Sequence, residues 1–178
     1  MSIYEVSISV EDYNSQGLEK YDTGDYKGAI DDYTQAIEIN PRYQNAYFNR
    51  GHAKYCTGDY DGAIADYTQT ILLNPGFSKA YYYRGIAKEY KGDYDGAIAD
   101  YTQALKLDPN NVNIYVNRSH IKDAKKDYDG AIADYTQALK LAPNDSDYYK
   151  GRAKVYRKLG MTVEAEADEK KAEELTEE

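Results

Sequence analysis

The chain has 178 residues, 31 acidic and 22 basic side chains, a formal net charge of −9, 22 tyrosines, no tryptophan and one cysteine. The single cysteine, Cys56, excludes an intramolecular disulfide, and no apolar run reaches the length of a membrane span. Charge is uneven, with eight acids against two lysines in Met161–Glu178 and 23 acids against 20 bases elsewhere; a near-neutral body with an acidic end argues against nucleic acid as main partner, because phosphate binding needs a basic surface.

Residues 1–9 read as an N-terminal extension. Ile3, Val6 and Ile8 make it apolar outside the periodic part, with Val10 following. It lacks the basic segment followed by an apolar stretch that marks a secretory signal, so the cytoplasm is the expected compartment. From Val10 the chain repeats every 34 residues, in units 10–43, 44–77, 78–111, 112–145 and 146–178. One column runs Tyr13, Tyr47, Tyr81, Tyr115, Tyr149; another Ala29, Ala63, Ala97, Ala131, Ala165; a third Pro41, Pro75, Pro109, Pro143. A period of this length predicts stacked two-helix units, of which a stable stack needs at least three. Such a stack offers a long surface rather than one pocket, which points toward holding a partner.

Each unit is predicted as helix, tight turn, helix, proline turn. The tight turns fall near Gly24, Gly58, Gly92, Lys126 and Gly160. In unit 3, Gly92 suits a helix C-terminal cap and Asp93 the N-cap of the next helix. Tyr94, Ala97, Ile98, Tyr101, Ala104, Leu105 and Leu107 then recur at helical spacing until Pro109, which cannot continue the backbone ladder. Gly51, Gly85 and the alanine column let paired helices approach closely, and the tyrosine columns at 26, 60, 94, 128 and at 33, 67, 101, 135 fill the space around them. Unit 5 keeps Tyr149, Gly160, Ala165, Ala172 and Leu175 but has Thr162, Glu166 and Glu169 where its siblings have Tyr, Ile and Tyr. It reads as a capping repeat with a wettable outer face.

The pattern Tyr81-x-x-Arg84-Gly85, Gly92-Asp93-Tyr94, Ala97, Tyr101, Ala104, Asp108-Pro109 resembles the tetratricopeptide repeat (TPR) family over residues 10–178. The resemblance implies an all-α fold, an α-solenoid of five helix-turn-helix repeats wound as a right-handed superhelix, with first helices lining the concave side. The column Arg50, Arg84, Arg118, Arg152 departs from the apolar residue commonest there in the family. With Asp32, Asp66, Asp100, Asp134 and Asp168 on the opposite helix, it reads as an Arg–Asp ladder tying helices together; the other reading is a basic strip that meets ligand.

Several features imitate chemistry. Asp59-Tyr60-Asp61-Gly62, repeated at 93–96 and 127–130, hints at a calcium loop. Such a loop needs a third oxygen ligand before its glycine and a glutamate at its twelfth place, which is Thr70 here. The acids read instead as an N-cap and a first-turn charge. His52 and His120 occupy equivalent places two units apart, too far to share a metal whose ligands sit at about 2 Å. There is no phosphate-cradling glycine loop and no nucleophile beside a recognisable base. The expectation is a non-enzymatic chain with no cofactor, no metal site and no catalytic residue.

The internal copies vary unevenly. Asp93–Asn111 and Asp127–Asp145 agree at 17 of 19 places, whereas Ser78–Gly92 and Val112–Lys126 agree at 4 of 15. The first helices are therefore under a different constraint in each unit. Their varied residues are Asn45, Phe48, Asn49, His52 and Tyr55 in unit 2, Lys79, Tyr82, Tyr83, Ile86 and Tyr90 in unit 3, and Asn113, Val116, Asn117 and His120 in unit 4. Steps of three and four put each set on one helix stripe, with Phe48, Tyr82 and Ile86 expected as an exposed row. By the resemblance that stripe faces the concave groove, where aromatic surface and adaptable amides suit peptide capture. Some family members clamp acidic chaperone tails: Asn49 and Lys79 match that pattern, but Asn14, Leu18 and Tyr83 do not. Others bind peptide backbone with an asparagine ladder: Asn49 and Asn117 match, but Ser15, Tyr83 and Gly151 do not. The expected function is an interaction module binding an extended or helical segment of a partner protein. The alternatives are a self-associating homo-oligomeric scaffold, joined through residues 1–9, the groove or the repeat ends, and a regulatory module of a larger enzyme.

Overall fold

The computed structural model describes residues 8–176, which divide into two compact units that part at Gly92-Asp93. Unit one holds α1 (Val10–Asp22), α2 (Tyr26–Ile39), α3 (Gln44–Cys56), α4 (Tyr60–Leu73) and α5 (Ser78–Tyr90). Unit two holds α6 (Tyr94–Leu107), α7 (Val112–Ala124), α8 (Tyr128–Leu141), α9 (Ser146–Lys158) and α10 (Thr162–Glu174). Among the described residues there is no strand. Ile3 and Val6 of the extension, and the acids Glu177 and Glu178, lie outside the described residues; Ile8 is 42% exposed and Val10 is buried.

The predicted turns are where the sequence placed them. Gly58, for example, takes φ 81°, a left-handed conformation that side chains resist, and Gly24, Gly92 and Gly160 do the same. The fourth turn reaches this conformation with Lys126 at φ 64°. Asp25, Asp59, Asp93 and Asp127 then cap α2, α4, α6 and α8 by accepting from the backbone N–H of Gly28, Gly62, Gly96 and Gly130 at 2.9–3.1 Å. The aspartates of the calcium-like run are thus helix caps. α10 starts on Met161 with no side-chain cap, and α1 starts on a reciprocal Ser9–Asp12 box.

Small residues and tyrosine rings make the core. In unit one, Ala29, Tyr33, Ala36, Ala46 and Ala53 are fully buried, with Tyr13, Tyr21, Tyr26, Ile30, Ile37 and Tyr43 packed around them. A second cluster joins Ala63, Tyr67 and Ala87 to Phe48, Tyr55, Ile64 and Tyr83. In unit two, Ala131, Tyr135 and Val155 meet Val116, Tyr128, Ile132 and Tyr148. Close approach is enforced at Gly51, where a Cβ would lie 2.9 Å from the Tyr67 ring.

The arginine column is a structural ladder. Arg50 donates to both Asp66 carboxylate oxygens at 2.9 and 2.7 Å, Arg118 to Asp134 at 2.8 and 2.6 Å, and Arg152 to Asp168 at 2.8 and 2.8 Å. The remaining guanidinium nitrogen reaches the preceding hairpin, as in Arg50 to Thr34 at 3.0 Å and Arg118 to Thr102 at 3.0 Å. Each arginine also lies over the tyrosine three residues before it, Tyr47, Tyr81, Tyr115 or Tyr149, at 5.6–5.9 Å. Lys54 and Lys122 add second cations to Asp66 and Asp134 at 2.8 Å, and Lys20 pairs with Asp32 at 2.6 Å. Planar two-point pairing of this kind favours arginine over lysine.

Candidate partner-binding surface

The first-helix residues fall into two groups, ten in unit one and four in unit two. Asn45 and Lys79 are exposed on α3 and α5, and Tyr90 is 61% exposed. Phe48, Tyr82 and Ile86, expected as an exposed row, are each half-buried. The reason is local. Phe48 meets Phe77, His52, Tyr67 and Tyr83 with ring centroids 4.8–5.9 Å apart, and His52 lies 4.0 Å from Tyr83. These rings pack α3 and α4 against α5. Tyr82 leans on Tyr83 at 5.1 Å.

A second aromatic group sits toward the turns. Tyr90 stacks on Tyr60 at 5.1 Å and meets Tyr55 at 5.5 Å. Burial first, then the hydrogen bond with Tyr90, raises the Tyr55 pKa. The Tyr21 hydroxyl contacts Cys56 Sγ at 3.4 Å. Asn49 donates through Nδ2 to the buried Asn14 Oδ1 at 3.0 Å. With Leu18, Tyr21, Tyr33 and His52 it lines a cavity of about 150 Å³.

His52 is held neutral. Burial, and then the charge of Lys79, push its pKa down to about 4. Burial also raises the hydroxyl pKa values of Tyr33 and Tyr67. Neither hydroxyl has a hydrogen-bond partner among the described residues.

In unit two, Asn113 and His120 are exposed on α7, while Val116 and Asn117 are half-buried, Val116 against the Ala131 cluster. His120 lies 5.9 Å from the Tyr135 ring and borders a cavity of about 640 Å³. The rest of that wall went unrecognised in the sequence: Asp123, Tyr135, and on α9 Asp147, Lys150, Gly151, Lys154, Arg157 and Lys158, with Glu169 from α10. Lys150, Lys154 and Arg157 recur at steps of four and three, so the α9 stripe was available to a periodicity reading. Gly151, noted only as a gap in the asparagine column, opens the space: a Cβ there would come within 2.5 Å of the Tyr135 ring and hydroxyl. Most of the cations are already paired, Lys158 with Asp123 at 2.6 Å, Arg157 with Glu169 at 2.6 Å and Lys150 with Asp147 at 3.4 Å.

Among the described residues no group of three His, Cys, Asp or Glu could hold a metal ion. No helix among them is long and apolar enough to cross a membrane.

Sequence profiles described as TPR repeat match residues 17–58 and 124–160, and profiles described as tetratricopeptide repeat match 44–77 and 78–111. The chain belongs to the tetratricopeptide repeat family, and its fold class is the all-α solenoid of that family. No curated protein sequence matches it. Among solved structures it is similar to MamA, at 25% identity and a TM-score of 0.87 over 90% of this chain and 94% of that one. A MamA structure from Desulfovibrio magneticus RS-1 matches at 16% identity and a TM-score of 0.88, over 96% and 98%. YrrB, described as a TPR protein with an unusual peptide-binding site, matches at 15% identity and a TM-score of 0.83, over 96% and 88%. Family and fold make this chain a protein-interaction scaffold, a class that is in general non-enzymatic.

Proposed function

We propose that the chain captures a peptide segment of a partner protein on the varied stripe of its first helices. The observation that carries this is the contrast between near-identical second helices and divergent first helices within one chain. The peptide-binding site of YrrB, a protein of the same fold, supports the same reading. In unit one the stripe offers Asn45, Lys79, Tyr82 and Tyr90 beside the edges of the Phe48–His52–Tyr83 cluster. In unit two it offers Asn113, Asn117 and His120.

The two stretches are tested separately, by capture of partner from lysate with the full chain. Tyr82→Ala is expected to weaken capture about tenfold or more, since burial of one aromatic contributes roughly 1.5–3 kcal/mol, and Asn117→Ala about twofold to tenfold, the worth of one hydrogen bond at roughly 0.5–1.5 kcal/mol, while circular dichroism stays helical in both. Gln69→Ala and Gln103→Ala, on second helices, are expected to leave capture unchanged. Loss of capture with the glutamine variants alone would move the site to the opposite face and end this reading.

A further inference from the structure

The varied stripe of the first helices continues into the fifth repeat with a change of chemistry. One period of 34 residues beyond Asn113, Val116, Asn117 and His120 of α7 stand Asp147, Lys150, Gly151 and Lys154 of α9. In the places of Lys150 and Lys154, α3 has Phe48 and His52, and α5 has Tyr82 and Ile86. Rings and apolar side chains thus give way to lysine. α9 as a whole carries five bases, Lys150, Arg152, Lys154, Arg157 and Lys158, against one acid, Asp147, in a chain of net charge −9.

His120, Lys150 and Lys154 line the cavity of about 640 Å³ within unit two, and all three are exposed. The acids of its wall are already answered, Asp123 by Lys158, Glu169 by Arg157 and Asp147 by Lys150. Lys154 has no ion-pair partner among the described residues. The Lys150–Asp147 contact is long, at 3.4 Å, and its side chains are 48% and 83% exposed; a pair of this kind is weak. Lys150 can therefore turn to an incoming carboxylate, one helical turn from Lys154. The wall offers one surplus cation and a second that exchanges readily. A basic side chain would meet that surplus as a like charge. An acidic segment is repelled by a chain of net charge −9, so it is held only where the local sign is reversed.

We propose that this cavity seats acidic side chains, aspartate or glutamate, of the captured peptide, held by Lys154 and Lys150. The assignment rests on the reading that the first-helix face holds a peptide, and it deepens that reading by naming the chemistry of the stretch that meets unit two.

The test uses the full chain and two short glycine-spaced peptides with blocked ends, one carrying glutamates and the other glutamines. Each is titrated at low salt against the backbone amide signals in a nitrogen–proton correlation spectrum. Blocked ends leave side-chain carboxylates as the only anions. The expected result is saturable shifts centred on Lys150, Gly151 and Lys154 with the glutamate peptide alone, weakening as salt rises because open charges are screened. Lys150→Gln with Lys154→Gln, at two exposed positions, should lower the affinity about twofold to thirtyfold, the loss of two exposed ion pairs, while circular dichroism stays helical. Lys106→Gln with Lys140→Gln, an equal loss of charge at exposed positions on α6 and α8, should leave the affinity unchanged. Equal affinity for the two peptides, no saturable shift with the glutamate peptide, or equal weakening by the two double variants would each overturn the seat. If the glutamate peptide fails to bind while Tyr82→Ala still loses partner capture, the seat falls and the groove stands. If the glutamate peptide binds as expected and the groove variants capture normally, the acidic seat stands and its place in peptide capture falls.

Discussion

His52 is half-buried among Phe48, Tyr67 and Tyr83, and this burial followed by the Lys79 charge lowers its pKa to about 4. In the unfolded chain a histidine titrates near 6.5. Between these values the unfolded chain binds a proton that the folded chain refuses. The contribution of His52 to stability is therefore complete above about pH 6.5 and is lost as pH falls toward about 4, at up to about 1.4 kcal/mol per unit. Urea denaturation between about pH 7 and pH 5 should show this slope in the parent and a shallower one in His52→Gln, with His120→Gln as the exposed control. Parallel losses in parent and His52→Gln would refute it. Lys126 gives the opposite kind of prediction. Its φ of 64° repeats the conformation that Gly24, Gly58, Gly92 and Gly160 supply elsewhere. Lys126→Gly should therefore raise stability by roughly 0.5–1 kcal/mol, the left-handed strain relieved less the extra freedom of the unfolded glycine. A lowered melting temperature would contradict this.

Helix starts and helix ties differ between repeats in ways that can be measured. α2, α4, α6 and α8 begin on capping aspartates, but α10 begins on Met161 without one. Met161→Asp should add about 1 kcal/mol to stability by capping α10, and thermal melting checks it. Arg118→Ala should cost toward the lower end of about 3–5 kcal/mol, because the 3% exposed Asp134 loses its two-point partner but keeps Lys122. The double variant Arg118→Ala, Asp134→Ala should recover part of that loss; no recovery would mean that the pair does not act as a unit. These elements were legible in the sequence because their causes are local: the turn glycines, the prolines after each second helix and the aspartate before each tyrosine act within a few residues. The Arg–Asp ties were legible because the same spacing recurs. What surrounds Phe48, His52 and Tyr83 was not. Helical periodicity puts a residue on a stripe, but how far the next helix covers that stripe depends on ring sizes at Phe77 and Tyr67, which no spacing rule reports. The α9 wall was missed for another reason. The divergent fifth unit reads as a capping repeat, and that reading gives no weight to Lys150, Lys154, Arg157 and Lys158 on its first helix.

In unit two the last hairpin packs on the one before it, so each supports the other. Truncation after Asp145 removes Tyr148 and Val155 from the Ala131–Tyr135 cluster. The shortened chain should melt at a lower temperature or associate in sedimentation, since each large apolar side chain left uncovered forfeits roughly 1.5–3 kcal/mol. An unchanged melting temperature in a monomeric truncated chain would refute it. The arginine ties also have a direction. Arg50 grips Thr34, sixteen residues behind it, and Asp66, sixteen residues ahead, and Arg118 does the same with Thr102 and Asp134. On the ribosome the threonine is already present when the arginine emerges, and at roughly 5–20 residues per second the aspartate follows in about one to three seconds. Each new hairpin can therefore latch backward onto finished structure before its own second helix is complete.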